Sequence, residues 1–119
     1  MLGKSTVCLT LFLLAGPAYA EFAKVDSERA FKSIVSGKTL TRPMVRLRVS
    51  PQGDISGRGL TWDVEGSWSW RDGYFCRDLY WGGSALGYNC QEVRVKGSQI
   101  RFTSDQGAGD SADFRLRPN

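Results

Sequence analysis

Residues 60–74 read Leu-Thr-Trp-Asp-Val-Glu-Gly-Ser-Trp-Ser-Trp-Arg-Asp-Gly-Tyr. From Leu60 to Trp70 the apolar parity holds Leu60, Trp62, Val64, Gly66, Trp68 and Trp70, and the polar parity holds Thr61, Asp63, Glu65, Ser67 and Ser69. Successive side chains of a strand point to opposite faces, so the alternation predicts a strand with one buried face. Strands usually run about 5–6 residues, and the length of this run predicts a bend or bulge at Gly66. Arg71-Asp72-Gly73 predicts a hairpin turn, because Asp-Gly accepts the positive φ of tight hairpins. Tyr74 to Trp81 is then the returning strand.

The same period of two extends outward from this hairpin. Upstream, Val45, Leu47 and Val49 alternate with Met44, Arg46 and Arg48, and the turn Pro51-Gln52-Gly53-Asp54 leads to Ile55. Downstream, Gly82 to Asn89 reads as a glycine-rich loop. Gln91, Val93 and Val95 run into the turn Lys96-Gly97-Ser98, and Ile100 and Phe102 return from it. A polar loop from Ser104 to Ala112 precedes a last strand containing Phe114 and Leu116. Ahead of the strands, Val25 to Gly37 predicts one helix. Asp26 or Ser27 caps its start, Ala30, Phe31, Ile34 and Val35 form its apolar stripe, and Gly37 stops it in the left-handed conformation. Lys38 to Pro43 reads as a connector. The expected fold is α+β, one N-terminal helix packed on a six-stranded antiparallel meander or small barrel.

Met1 to Ala20 reads as a secretory signal peptide. Lys4 precedes the apolar run Val7 to Ala15, Gly16-Pro17 breaks it, and Ala18-Tyr19-Ala20 supplies the cleavage pattern. The run falls well short of the roughly 20 residues of a membrane-spanning helix. The expectation is a single exported domain over residues 21–119, periplasmic or secreted, with no integral membrane segment after cleavage. Losing Lys4 lowers the formal net charge of +4 to about +3, too little to argue for nucleic acid. Losing Cys8 leaves Cys76 and Cys90, which in an oxidising compartment are expected to form a disulfide.

No constellation of catalytic residues emerges. The chain has no histidine, which removes the usual general base and the commonest metal ligand. No glycine fingerprint joins a strand to a helix, so no nucleotide cofactor is expected. Asp105-Gln106-Gly107-Ala108-Gly109-Asp110 lacks the ligand alternation of a calcium loop and reads as a solvated turn. Trp62, Trp68 and Trp70 are expected in the core. Trp81, with Tyr80 and Tyr88 beside the glycine-rich loop and Arg77 nearby, is the candidate binding region. Arg46, Arg48, Arg94, Arg101, Arg115 and Arg117 lie on the polar parity, and cross-strand pairing with Asp63, Glu65, Glu92 and Asp113 is expected to cancel most of their field.

The block Gly66-Ser-Trp-Ser-Trp-Arg-Asp-Gly-Tyr-Phe-Cys-Arg77, the Cys90-Gln91 pair and the run Val95 to Thr103 resemble a family of small exported alphaproteobacterial proteins with the order G-x-W-x-W…C-R…C-Q. Some members carry the name dihydrodipicolinate reductase, so the resemblance implies an NAD(P)H oxidoreductase as the alternative function. The residues themselves point instead to a non-catalytic binding or interaction module of the cell envelope. Its expected partner is an envelope protein or an anionic glycan.

Overall fold

The computed structural model describes residues 21–119; the signal-peptide prediction lies outside the described residues. Nine strands are present among the described residues: β1 (Ala23–Lys24), β2 (Lys38–Arg42), β3 (Val45–Val49), β4 (Asp54–Gly59), β5 (Trp62–Arg71), β6 (Tyr74–Trp81), β7 (Ser84–Lys96), β8 (Gln99–Thr103) and β9 (Ser111–Pro118). The helix α1 (Glu28–Val35) separates β1 from β2. Every ladder is antiparallel, and β2 pairs with both β3 and β9. Strands β2 to β9 therefore close into an eight-stranded barrel. β1 adds to β7 beyond the end of β6, Ala23 opposite Val95.

The expected six strands were three too few, because β1, β2 and β4 were not anticipated as strands, and β7 is longer than expected. Lys38 to Pro43 is mostly strand β2 rather than connector, and β4 is a strand of its own. Gly82 to Asn89 is no loop: only Gly82 and Gly83 turn, and Ser84 onward is the first half of β7. Gly66 also plays another part than expected. The β4–β5 and β5–β6 registers run through it without a shift, and the irregularity falls between Leu79 and Tyr80, where Leu86 is left over on β7. A Cβ on Gly66 would lie 2.2 Å from the Asp78 carbonyl oxygen. The residue is small because a neighbouring backbone passes over it.

The helix begins where its cap predicts, with the Ser27 side chain accepting from the Ala30 amide at 3.1 Å. Its apolar stripe drives Phe31 into one end of the barrel. There the ring is fully buried among Trp68, Trp70, Phe75 and Phe102, with centroids 5.0–6.4 Å away. Val25, Val35, Leu40, Val93 and Ile100 complete the core around it. Trp68 is further fixed by donating from Nε1 to the Ser50 carbonyl. The helix end is thus filled by side chains, and the turns at 50–53, 72–73 and 97–98 lie around it. Asp72 and Gly73 both take positive φ, +52° and +86°, as the predicted hairpin requires.

The predicted disulfide is present. Cys76 and Cys90 stand opposite each other on β6 and β7 and are bonded. Such a bond fits an oxidising, non-cytoplasmic environment. No helix among the described residues is long and apolar enough to cross a membrane.

Candidate functional site

Antiparallel connectivity puts four turns at the end away from the helix: 43–44, 60–61, 82–83 and the longer loop 104–110. Trp81 ends β6 there. Its indole crosses the mouth of the barrel, donates from Nε1 to the Gly59 carbonyl at 2.9 Å, and meets Trp62 edge-on at 5.8 Å. Gly59 has no side chain because the indole occupies that space: a Cβ there would lie 3.0 Å from Nε1. Trp62 itself is 52% exposed, which corrects its expected place in the core. It shares parity with Trp68 and Trp70 but sits at the far end of β5, beyond the layer that α1 and the barrel cover.

Tyr80 and Tyr88 lie on the outer face of the same protruding β6–β7 hairpin, both exposed. Leu86, the bulged residue between them, is exposed as well. Arg77 behaves differently. It is half-buried on the barrel-facing side of β6 and donates from Nη1 to the Gly87 carbonyl at 2.5 Å. Burial lowers its pKa while Asp78 opposes that shift. Its visible work is to brace β7, and the three aromatic residues are what the hairpin presents.

Two residues that the sequence did not count toward a site complete this end, and Leu60, expected on the buried parity of the long strand, lies instead exposed in the turn ahead of β5. Met44, 73% exposed, and Leu60 occupy neighbouring turns joined by a 2.7 Å bond from the Leu60 amide to the Met44 carbonyl. Both have left-handed backbones, φ +67° and +57°. Bulky residues rarely adopt that region, and each such placement costs on the order of 1–3 kcal/mol. Arg58, held by Asp63 at 2.7 Å and by the Thr61 carbonyl, flanks the pair. The loop Asp105–Gly107 is pinned to the barrel, because Asn89 donates to the Asp105 carboxylate and its own oxygen accepts from the Asp105 amide.

The arginines divide into two groups. Arg94 is bound by Glu92 at 2.9 Å and Arg101 by Asp113 at 2.7 Å. Hydrogen bonds from these guanidiniums hold both carboxyls below the ordinary carboxylate range. The expected cross-strand pairing is met only at Arg101–Asp113; Arg94 pairs with Glu92 along its own strand, Asp63 takes Arg58, and Arg46, Arg48, Arg115 and Arg117 form no salt bridge among the described residues. The described residues contain no group of three or more His, Cys, Asp or Glu placed to hold a metal ion.

Comparison with known sequences and folds adds no relative. No family model, curated protein or solved structure matches this chain. The functional reading therefore rests on the geometry alone.

Proposed function

We propose that this protein is a periplasmic or secreted, non-catalytic binding module of the cell envelope that docks a protein partner on the turn end of its barrel. One observation carries the reading. All seven exposed large apolar side chains among the described residues (Met44, Leu60, Trp62, Tyr80, Trp81, Leu86 and Tyr88) belong to that end, and none to the helix end. Scattered exposed apolar residues are ordinary, but a contiguous patch rimmed by charge marks an interaction surface. The composition points the same way, since Trp, Tyr, Met and Arg are the types enriched at protein interfaces and their hot spots. The left-handed placement of Met44 and Leu60 fits this use, because it presents apolar side chains outward at a cost in folding energy. The helix end is filled by Phe31 and its neighbours, which favours an external contact over a ligand held in the barrel.

The test is photocrosslinking from Leu86 in the exported protein, followed by mass spectrometry of the adduct in its own envelope fraction. A discrete protein adduct is expected, and Tyr80→Ser with Tyr88→Ser should reduce its yield about tenfold while leaving the melting temperature near that of the parent. An undiminished adduct in the folded double variant refutes the docking site.

A further inference from the structure

Strand β2 contributes only Thr39 and Thr41 to the outer face of the barrel, between two strands that carry arginine. Arg46 and Arg48 rise from β3 on one side, and Arg115 and Arg117 from β9 on the other. Thr41 faces Arg46 and Arg115, and Thr39 faces Arg117. Short side chains between long ones make an open groove along β2, with a hydroxyl floor and guanidinium walls. Neighbouring strands are about 4.8 Å apart and alternate residues about 6.7 Å apart. The four arginine Cα atoms therefore mark out a rectangle of about 10 by 7 Å.

This arrangement is electrostatically expensive. Arg46 stands directly opposite Arg58 on β4, and like charges in that position destabilise a sheet, a cost that the Arg58–Asp63 salt bridge offsets in part. Asp113, the one acidic residue lining the groove, is already held by two hydrogen bonds from Arg101. Arg117 reaches inward, donating from Nε to Thr41 Oγ1 at 3.1 Å, which sets its charge over the floor. All the basic residues lining the groove are arginine and none is lysine. The planar guanidinium fork matches carboxylate and phosphate, whereas an ammonium acts as a point charge.

We propose that this groove binds one strand of a linear anionic polysaccharide bearing carboxylate or phosphate groups. Three features choose that ligand. A flat anionic surface such as a bilayer would meet the arginine walls and miss the floor, while a single chain can lie between them. An acidic peptide would seek main-chain partners, and β2 offers none because both its edges are paired within the barrel. A sugar chain brings hydroxyls; Thr39 donates to Asn119 and Thr41 accepts from Arg117, and the remaining lone pairs of these hydroxyls, the Thr41 hydroxyl proton, Gln99 and the Asn119 amide supply donors and acceptors. The groove reaches Met44, Leu60 and Arg58 at one end, but the arginine walls and threonine floor are distinct from Tyr80 and Tyr88, so substitutions in the two sets separate the two proposals.

The experiment is titration of the intact exported protein with size-defined linear uronate oligosaccharides, followed by calorimetry at several salt concentrations. Binding is expected to weaken as salt rises and to fall about tenfold or more in R46Q/R48Q/R115Q/R117Q. The four-lysine variant should recover only part of the affinity, because it restores the charge without the fork. Tyr80→Ser with Tyr88→Ser should leave the affinity unchanged. Circular dichroism and melting temperature verify that each variant is folded. The proposal is overturned if the folded four-glutamine variant binds like the parent. It is also overturned if polyglutamate or phosphatidylglycerol vesicles bind through these arginines while the uronates do not, or if the tyrosine variant loses the uronate.

Discussion

Phe31→Ala should cost this protein most of its stability. Phe-to-Ala changes in cores cost about 3–5 kcal/mol, and Phe31 has the features of the upper half of that range. It is fully buried, and four aromatic rings surround it, each such pair adding about 0.5–1.5 kcal/mol beyond area burial. A loss of about 4–5 kcal/mol follows. For a domain of this size each kcal/mol moves the melting temperature by about 4–8 °C, so a drop of roughly 16–40 °C is expected. Urea unfolding of the disulfide-bonded protein, monitored by tryptophan fluorescence, measures the loss directly. Because Phe31 stacks on Trp70 at 5.3 Å, the double variant with Trp70→Ala should depart from additivity by about 0.5–3 kcal/mol. A loss below about 1.5 kcal/mol, or strict additivity with Trp70, would mean that α1 does not seal the barrel.

Three further predictions concern the sheet. Replacing Cys76 and Cys90 together by alanine removes a cross-link spanning 14 residues and should cost about 3 kcal/mol, seen as a melting drop of roughly 12–24 °C; equal melting of the variant and the parent would refute it. Gly66→Ala, which drives a Cβ against the Asp78 carbonyl, should destabilise the fold more than Gly73→Ala, where the space is open and only the left-handed backbone (φ +86°) is strained. The reverse order in urea midpoints would show that the tight approach at Gly66 is wrong. On the acid side, Glu92 and Asp113 have folded pKa values below their unfolded ones. Their contribution to stability is complete above the ordinary carboxylate range and is lost as pH falls through the folded values. Both pairs are partly exposed, so the effect is modest, and Glu92→Gln with Asp113→Asn should flatten the acid limb of melting temperature against pH; an unaltered limb contradicts the pairing.

Much of the wall of this barrel was legible in the sequence, and the gaps have physical causes. The β5–β6 hairpin could be read because its alternation is long and its Asp-Gly turn is strict. β4 could not, since two of its inward positions are Gly57 and Gly59. A Cβ on Gly57 would lie 2.0 Å from the Arg46 carbonyl oxygen, and Trp81 fills the space over Gly59. Where backbone or a distant side chain fills the core, the period of two goes blank. β2 has one fully buried residue, Leu40, too few to mark a period. The first half of β7 protrudes and is exposed on both faces, so nothing alternates.

The candidate site was legible in part for a related reason. Parity tells which way a side chain points and says nothing of its depth along the strand, so Trp62 read as core. The arginines were correctly turned outward, but whether they meet acids depends on strand neighbours. β3 and β9 flank β2, which carries no acid, and the sequence does not announce that adjacency. Met44 and Leu60 were missed because their exposure comes from left-handed turns at residues that seldom make them.

Closure of the barrel between β2 and β9 also governs how this chain folds. The last ladder joins Lys38 to Pro118 and Thr41 to Arg115, and Asn119 donates to the Gly37 carbonyl. No earlier hairpin can supply that seam, so the ring stays open until the final strand is available. Contacts of such long sequence separation slow folding, to the millisecond-to-second range common for barrels. While the seam is open, the edges of β2 and β8 are unpaired and can template association with other chains. The arginine row on β3, and later that of β9, places repelling charge beside this vulnerable edge. The same charges that wall the groove in the finished protein would then act earlier as a guard against aggregation.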